Sequence, residues 1–431
     1  MEGAGHAGRE AAARTVTPDG ASTPGSMNGS RAGQRARRPI VLITHSYYEE
    51  DPRVRRQAEA ILASGRSVDV ISLRRPDDDA MGAVDGVNVR RLDVQRHQGA
   101  GLGTYLSEYM AFFMRVAWTL IRSQPRRRYA LVQVATLPDW LVLAALPLRL
   151  VGLPVLIDLH ESMPDFFRSR FPRAGNPIVN RALLLAERLS IAASSHAITV
   201  NDALRDRLVR LGVAPDKVSL VRNTPSLARF DPSAHETRTF MADGTLRLVY
   251  AGALTPTYEL DVAVRAVANI VSRRPDLPVQ LDVYGRGDSN DGLAALASGL
   301  GISDRLTLHG RIPLEDVPAA VARADIGLAP TRRDDFTDSS LSTKILEYAA
   351  MRRPAIASRL PLVERTFPDG AVATYEPGNA EDLTDAILRA VDDPAARSEA
   401  VDRAAAIVAE LSWERDAPPY LALLERFARG R

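Results

Sequence analysis

From Pro39 onward, short runs of apolar, β-branched residues alternate with longer stretches of helical period, a rhythm that predicts a layered α/β chain. Pro39–Thr44 has the length and branching of a buried strand. Asp51-Pro52 then offers an N-cap and a proline at the first helical position. That helix is expected to run to about Ser64 and stop at Gly65, and Ser67–Ser72 follows as a strand, giving a βαβ unit. Further strands are predicted at Val87–Val94, Ala130–Ala135, Pro154–Leu159, Ala197–Val200 and Val218–Arg222. Their alternation with helices implies a mostly parallel sheet covered on both faces.

A polar, proline-containing passage from Asn223 to Gly244 interrupts the pattern, and a second alternation begins at Leu246. Its later strands are predicted at Val279–Gly285, Leu306–Gly310, Ile326–Pro330, Ala355–Ser358 and Ala373–Tyr375. The expected fold class is α/β, two doubly wound Rossmann-like domains facing each other across a cleft. The expected divisions are 38–225, a linker at 226–245, a second domain at 246–411, and a last helix at about 412–431 that completes the first domain. Residues 1–37 carry almost no large apolar side chains and no signal-peptide core, so a disordered tail is expected.

The apolar run Trp140–Ile157 is broken by Pro147, Arg149 and Pro154, which suits a helix followed by a buried strand better than a membrane span. The length of 431 residues suffices for two cores, and 45% hydrophobic with 25% charged residues is a soluble, globular balance. A net charge of +2 gives no case for nucleic acid as partner. Without cysteine, disulfides and Cys-ligated metals are excluded and the compartment is left open.

The richest chemistry lies in Asp335–Met351. Ser342 or Thr343 can cap a helix there, leaving its first N–H groups pointing outward with a partial positive charge. Lys344, expected to be exposed, adds a full charge suited to phosphates, and Glu347 one turn on can accept paired hydrogen bonds from a ribose diol. The plain alternative is a capped helix with a solvated Lys and Glu. The tract follows a strand ending at Pro330 and precedes another at Ala355–Ser358, where open α/β sheets bind ligands.

With these flanks the segment resembles the nucleotide-sugar site of family-4 retaining glycosyltransferases of the GT-B fold, in the Thr-Lys-x-x-Glu-Tyr version found in bacteria. The resemblance covers nearly everything from Pro39 to the end. The family's first acid falls on Ser339 here, with Asp338 beside it as a substitute. The resemblance implies donor contacts from Gly252, Thr255, Arg286, Ser342, Thr343, Lys344 and Glu347. Ala253 and Tyr258-Glu259 stand where relatives carry phosphate-gripping cations, which shifts that load to Lys344, Arg286 and backbone N–H groups. On the facing domain it implies a contact of His160 with the donor sugar, His160 being the catalytic candidate. Asp51, Arg53 and Glu161 are the acceptor-side candidates, Asp51 also reading as a simple cap. No Asp-x-Asp signature stands at a suitable strand end, so neither an essential metal nor a cofactor beyond the donor is expected.

From Tyr109 to Pro138 there is no acid but there are Arg115, Arg122 and Arg126 to Arg128. Apolar positions 106, 109, 110, 113, 117, 120 and 121 share a helical face, with Phe112 and Trp118 off it. Such a helix suits either peripheral contact with an anionic membrane or packing on the sheet with a solvated Arg edge. The resemblance implies transfer of a sugar from a nucleotide-diphosphate donor to a glycan or lipid-linked hydroxyl acceptor, with retention. It further implies a cytoplasmic protein near the inner face of the plasma membrane, with no nucleic-acid partner. The competing expectations are a catalytically inactive sugar-nucleotide-binding protein and a nucleotide-sugar epimerase on the same fold.

Overall fold

The computed structural model describes residues 37–94, 101–171, 176–236 and 238–429. The expected tail lies outside them, apart from Arg37. The first sheet contains β1 (Ile40–Ile43), β2 (Val68–Leu73), β3 (Met81–Val84), β4 (Val87–Leu92), β5 (Leu131–Ala135), β6 (Val155–Leu159), β7 (His196–Thr199) and β8 (Val218–Leu220). Their order is β3-β4-β2-β1-β5-β6-β7-β8, parallel throughout except for β3 against β4. The second sheet contains β9 (Leu246–Ala251), β10 (Val279–Tyr284), β11 (Leu306–Gly310), β12 (Ile326–Ala329), β13 (Ala355–Ser358) and β14 (Ala373–Tyr375). It is parallel throughout, in the order β11-β10-β9-β12-β13-β14.

Strand pleating sends alternate side chains to opposite faces. Val41 and Ile43 pack with Phe112, Val116 and Leu120 of the helix Leu102–Arg127, while Ile40 and Leu42 pack with Val54 and Ile61 of Pro52–Ala63. Trp413 and Tyr420 of the last helix, Trp413–Ala428, join the second cluster, and the buried Tyr420 hydroxyl donates to Gln133 Oε1 at 2.9 Å. The helix Trp413–Ala428 therefore packs on the first sheet. The described residues of 226–236 and 238–245 include two ties to the second sheet: Phe230 enters its core, and Asp325 accepts from Met241 N at 2.8 Å.

Two differences from the sequence reading have clear causes. Strand β3 was not expected, because its Met81–Val84 side chains are largely exposed and leave no apolar run. Its turn, Asp85-Gly86, has positive φ at both positions, the geometry of a tight hairpin. The helix Leu102–Arg127 splits the apolar face read from the sequence: Leu120 is buried and Phe113 and Ala117 pack on the core, with Phe112, read off that face, fully buried beside them. It turns Phe112, Val116 and Leu120 inward and leaves Leu106, Met110 and Ile121 outside.

The strand order reverses direction beside β1 in one sheet and beside β9 in the other, so the loops after these strands open into crevices. Helix Thr343–Ala350 is fixed over β12 by Tyr348, whose hydroxyl donates to Leu328 O at 3.2 Å. A Cβ on Gly327 would stand 2.3 Å from the Tyr348 ring, so only glycine permits this seat. Gly327→Ala is expected to cost about 1–3 kcal/mol through overpacking. Urea denaturation should show a lower midpoint; an unchanged midpoint would mean that Tyr348 can step aside freely.

Candidate functional site

A cleft of about 600 Å³ lies between the strand-end loops of the two sheets. On the second-sheet side its wall is the start of helix Thr343–Ala350, with Ser342, Thr343, Lys344 and Glu347 all lining it. Ser342 stands at the N-cap, but its hydroxyl makes no cap bond and has no hydrogen-bond partner among the described residues. The expected side-chain cap is therefore absent, and a buried hydroxyl is left beside the open N–H groups.

Lys344 is only 8% exposed, which corrects the expectation of a surface lysine. It is covered because Gly252, at the end of β9, has no Cβ: one would stand 2.2 Å from Lys344 Cε and 2.8 Å from Nζ. The ammonium rests 4.0 Å from the centroid of the Tyr258 ring and 5.0 Å from that of Tyr250. Burial pulls its pKa down to about 8 against an opposing pull from Glu347. Burial likewise pushes the Glu347 carboxyl up, while Lys344, Arg56 and Arg229 draw it back. Arg286 also lines the cleft, exposed, at the turn after β10.

The facing wall starts at the loop after β1. Asp51 caps Pro52–Ala63, accepting from Arg53 N at 3.2 Å and Val54 N at 3.3 Å, and takes a third bond from Ser46 Oγ at 2.7 Å. Burial alone would raise its pKa, but Arg53, 3.6 Å away, and these donors hold it at about 2. Its carboxylate is thus committed to the fold, whereas Arg53 extends along the cleft wall. Arg56, one turn further, donates to Asn223 Oδ1 at 2.5 Å and is pulled down to about 10 by burial.

A second chamber of about 320 Å³ adjoins the first and shares Arg53, Glu161, Asn223 and Phe336 with it. His160 lines this chamber, and neither of its ring nitrogens has a hydrogen-bond partner among the described residues. Burial, then Arg53, pull the imidazole well below its usual pKa, so it is neutral, with one nitrogen to donate and one to accept. The two walls are tied across the opening by Arg55 to Glu315 at 2.6 Å, Ser169 to Asp334 at 2.8 Å, and an ion pair of Arg311 with Glu50.

The sequence matches two family profiles: one described as "Glycosyl transferase 4-like domain" over residues 50–224, and one described as "Glycosyl transferases group 1" over residues 245–393. A GDP-mannose-dependent alpha-(1-6)-phosphatidylinositol monomannoside mannosyltransferase of Mycolicibacterium smegmatis is 30% identical over 55% of this chain and 68% of its own length. The chain belongs to the group 1, family-4 glycosyltransferases. An alpha-D-kanosaminyltransferase of Streptomyces kanamyceticus is 24% identical over 61% of this chain and 67% of its own length. With other curated relatives the chain spans about half of their length, 48% and 54% for two of them. In fold, the sucrose-phosphate synthase of Thermosynechococcus elongatus superposes with a TM-score of 0.72 at 19% identity, covering 90% of this chain and 99% of that one. The architecture is GT-B.

Set beside the family pattern, this glycosyltransferase gathers Gly252, Arg286, Ser342, Thr343, Lys344 and Glu347 in one cleft with Asp51, Arg53 and Glu161 opposite. Thr255 does not join them. It starts a short turn off the cleft wall, and Thr257 and Tyr258 line the wall in its place. Asp338 does not supply the missing acid either, because its carboxylate turns to Arg333 at 3.3 Å and stays off the cleft lining. Tyr258, where relatives carry a cation, holds Lys344 through its ring face instead. Arg56 and Arg229 escaped the sequence reading. The spacing of Arg56 from Arg53 on a cleft-facing helix was a usable signal, whereas Arg229 reaches the cleft only through tertiary packing. Among the described residues no group of His, Cys, Asp or Glu is arranged to hold a metal ion, and no helix is long and apolar enough to cross a membrane.

Proposed function

We propose that this chain transfers a glycosyl unit from a nucleoside-diphosphate sugar to a hydroxyl acceptor with retention at the anomeric carbon. The observation that carries this reading is the meeting, in one cleft, of an uncapped helix start and buried Lys344 with a half-buried carboxylate, Glu347. The diphosphate lies against the Ser342–Lys344 helix start, with Arg286 at the rim. Glu347 takes the ribose hydroxyls. The sugar then sits where the two chambers join, between Arg53 and Glu161 and within reach of neutral His160.

Retention places the acceptor hydroxyl on the face from which the nucleotide leaves, so the departing phosphate oxygen can take the acceptor proton. The protein contributes orientation and stabilisation of the charge that develops on that phosphate. The acceptor is a glycan or lipid-linked hydroxyl. A second reading, a sugar-nucleotide-binding protein without turnover, draws on Ser339 and Tyr258 standing where relatives carry charge.

Glu347→Gln tests the donor half. A charge-assisted hydrogen bond contributes about 1.5–3 kcal/mol, so calorimetry with UDP and GDP should show the preferred nucleotide weakened by roughly tenfold or more, with the fold intact. Unchanged affinity would remove Glu347 from the site.

A further inference from the structure

Nearly all the large apolar side chains that the described surface leaves in water lie on one face of the first sheet. On the helix Leu102–Arg127 they are Leu106, Met110, Met114, Trp118 and Ile121, from 47% to 61% exposed. At about 100° per residue these positions cover roughly one third of the helix circumference, away from the inward Phe112, Val116 and Leu120. The short helix Leu146–Leu150, which packs beside this one, exposes Leu150 at 79%, and Val151 just after it is 77% exposed. A third helix, Pro177–Ala193, exposes Ile178, Leu185 and Leu189. Among the described residues only Met81 and Leu300 of the exposed large apolar side chains fall outside this region.

The charge on the same region has one sign. Among the described residues from 101 to 200 no Asp or Glu is exposed: Glu108, Asp139, Asp158 and Glu187 are buried, and Glu161 and Asp165 are half-buried. The exposed charges there are arginines, including Arg115, Arg122, Arg126, Arg128, Arg181 and Arg188. Arg122 lies over the Trp118 ring at 4.9 Å, joining an apolar plane to a cation as interfacial side chains do.

We infer that this three-helix face is a docking surface for an anionic lipid bilayer. Apolar side chains ringed by cations match the two layers of such a surface, acyl chains below and phosphate head groups above. A second copy of the chain fits poorly, since an isologous contact would set arginines against arginines. The face also borders the cleft. His45, next to cleft-lining Ser46, packs edge-on against Tyr109 at 4.7 Å, and Tyr105 packs against Phe171 at 5.6 Å. An acceptor carried on a lipid would thus reach the cleft mouth without leaving the membrane. That last step rests on the transfer reaction proposed above; the docking itself does not.

The test is flotation of the full chain with vesicles of equal parts phosphatidylglycerol and phosphatidylcholine, against pure phosphatidylcholine. Binding is expected to the anionic vesicles only, and to be lost at ~0.5 M salt. Joint Arg122→Glu, Arg126→Glu and Arg128→Glu should lower partition by more than roughly tenfold. Arg127 is left intact because its guanidinium is held by Asp69, with Nε 2.7 Å from Oδ2. Leu150→Ser with Leu189→Ser, on the two other helices, should lower partition by roughly tenfold as well. Thermal shift with UDP and GDP should be the same in every variant, which separates failure of docking from failure of the donor site. Absence of binding at low salt overturns the inference, and so does binding that ignores Leu150 and Leu189. A dimer in sedimentation that Leu189→Ser dissolves overturns it too, and makes the face a self-interface.

Discussion

Lys344→Met is expected to lower the rate of sugar transfer roughly 100-fold, about 2.7 kcal/mol of transition-state stabilisation, while the protein melts no earlier at neutral pH. In the proposed reaction the ammonium stabilises the phosphate that gains charge as the nucleotide departs, and the variant lacks it. Stability is kept because methionine fills the space of the buried stem and removes a buried charge. The pH dependence gives an independent check. With a folded value of about 8 against an ordinary 10.5, Lys344 gives up its proton more readily in the folded chain than in the unfolded one. Between those values the unfolded state binds more protons, so this residue makes stability rise with pH. Donor affinity should run the opposite way and weaken as pH rises above about 8, because the diphosphate needs the charged form. Lys344→Met should flatten both trends. A variant that transfers sugar at the parental rate would move the phosphate role to Arg286, to be tested by Arg286→Ala in parallel.

Gly252→Ala should reproduce most of that loss without touching a charged group. The new methyl would stand 2.2 Å from Lys344 Cε, and the flexible lysine, rather than the strand, will yield. Stability should change little, since what moves is the far end of a side chain. Transfer should fall roughly 30- to 100-fold, because the ammonium no longer rests in its slot against Tyr258. If both changes act through one lysine, the double variant Gly252→Ala, Lys344→Met should be no slower than Lys344→Met alone. Measured kcat/KM values for the four proteins decide this, and full additivity would show that Gly252 acts on the donor directly.

The core was legible in the sequence because buried parallel strands leave unbroken apolar runs, as in Ile40–Ile43 and Ile326–Ala329. Strand β3 was not, being exposed at an edge, where only its Asp-Gly turn marked it. Lys344 and Glu347 were legible as a pair at helical spacing, but their burial was not. The cover on Lys344 comes from Gly252 and Tyr258, far earlier in the chain, and no local pattern reports a missing Cβ across that distance. Arg229 was hidden for the same reason. The split of the apolar face on Leu102–Arg127 was not legible, because a helix with apolar residues on two sides does not say which side meets the sheet.

The most direct test of retaining transfer needs no acceptor. Glycosyltransferases can pass the donor sugar slowly to water, and time-resolved proton NMR with α-configured UDP- and GDP-hexoses identifies the first anomer released. The account predicts that the α-hexose appears first and mutarotates later, and that Lys344→Met slows its release. Initial release of the β-hexose, or conversion of the donor to an epimeric nucleotide sugar with no free hexose, would contradict it.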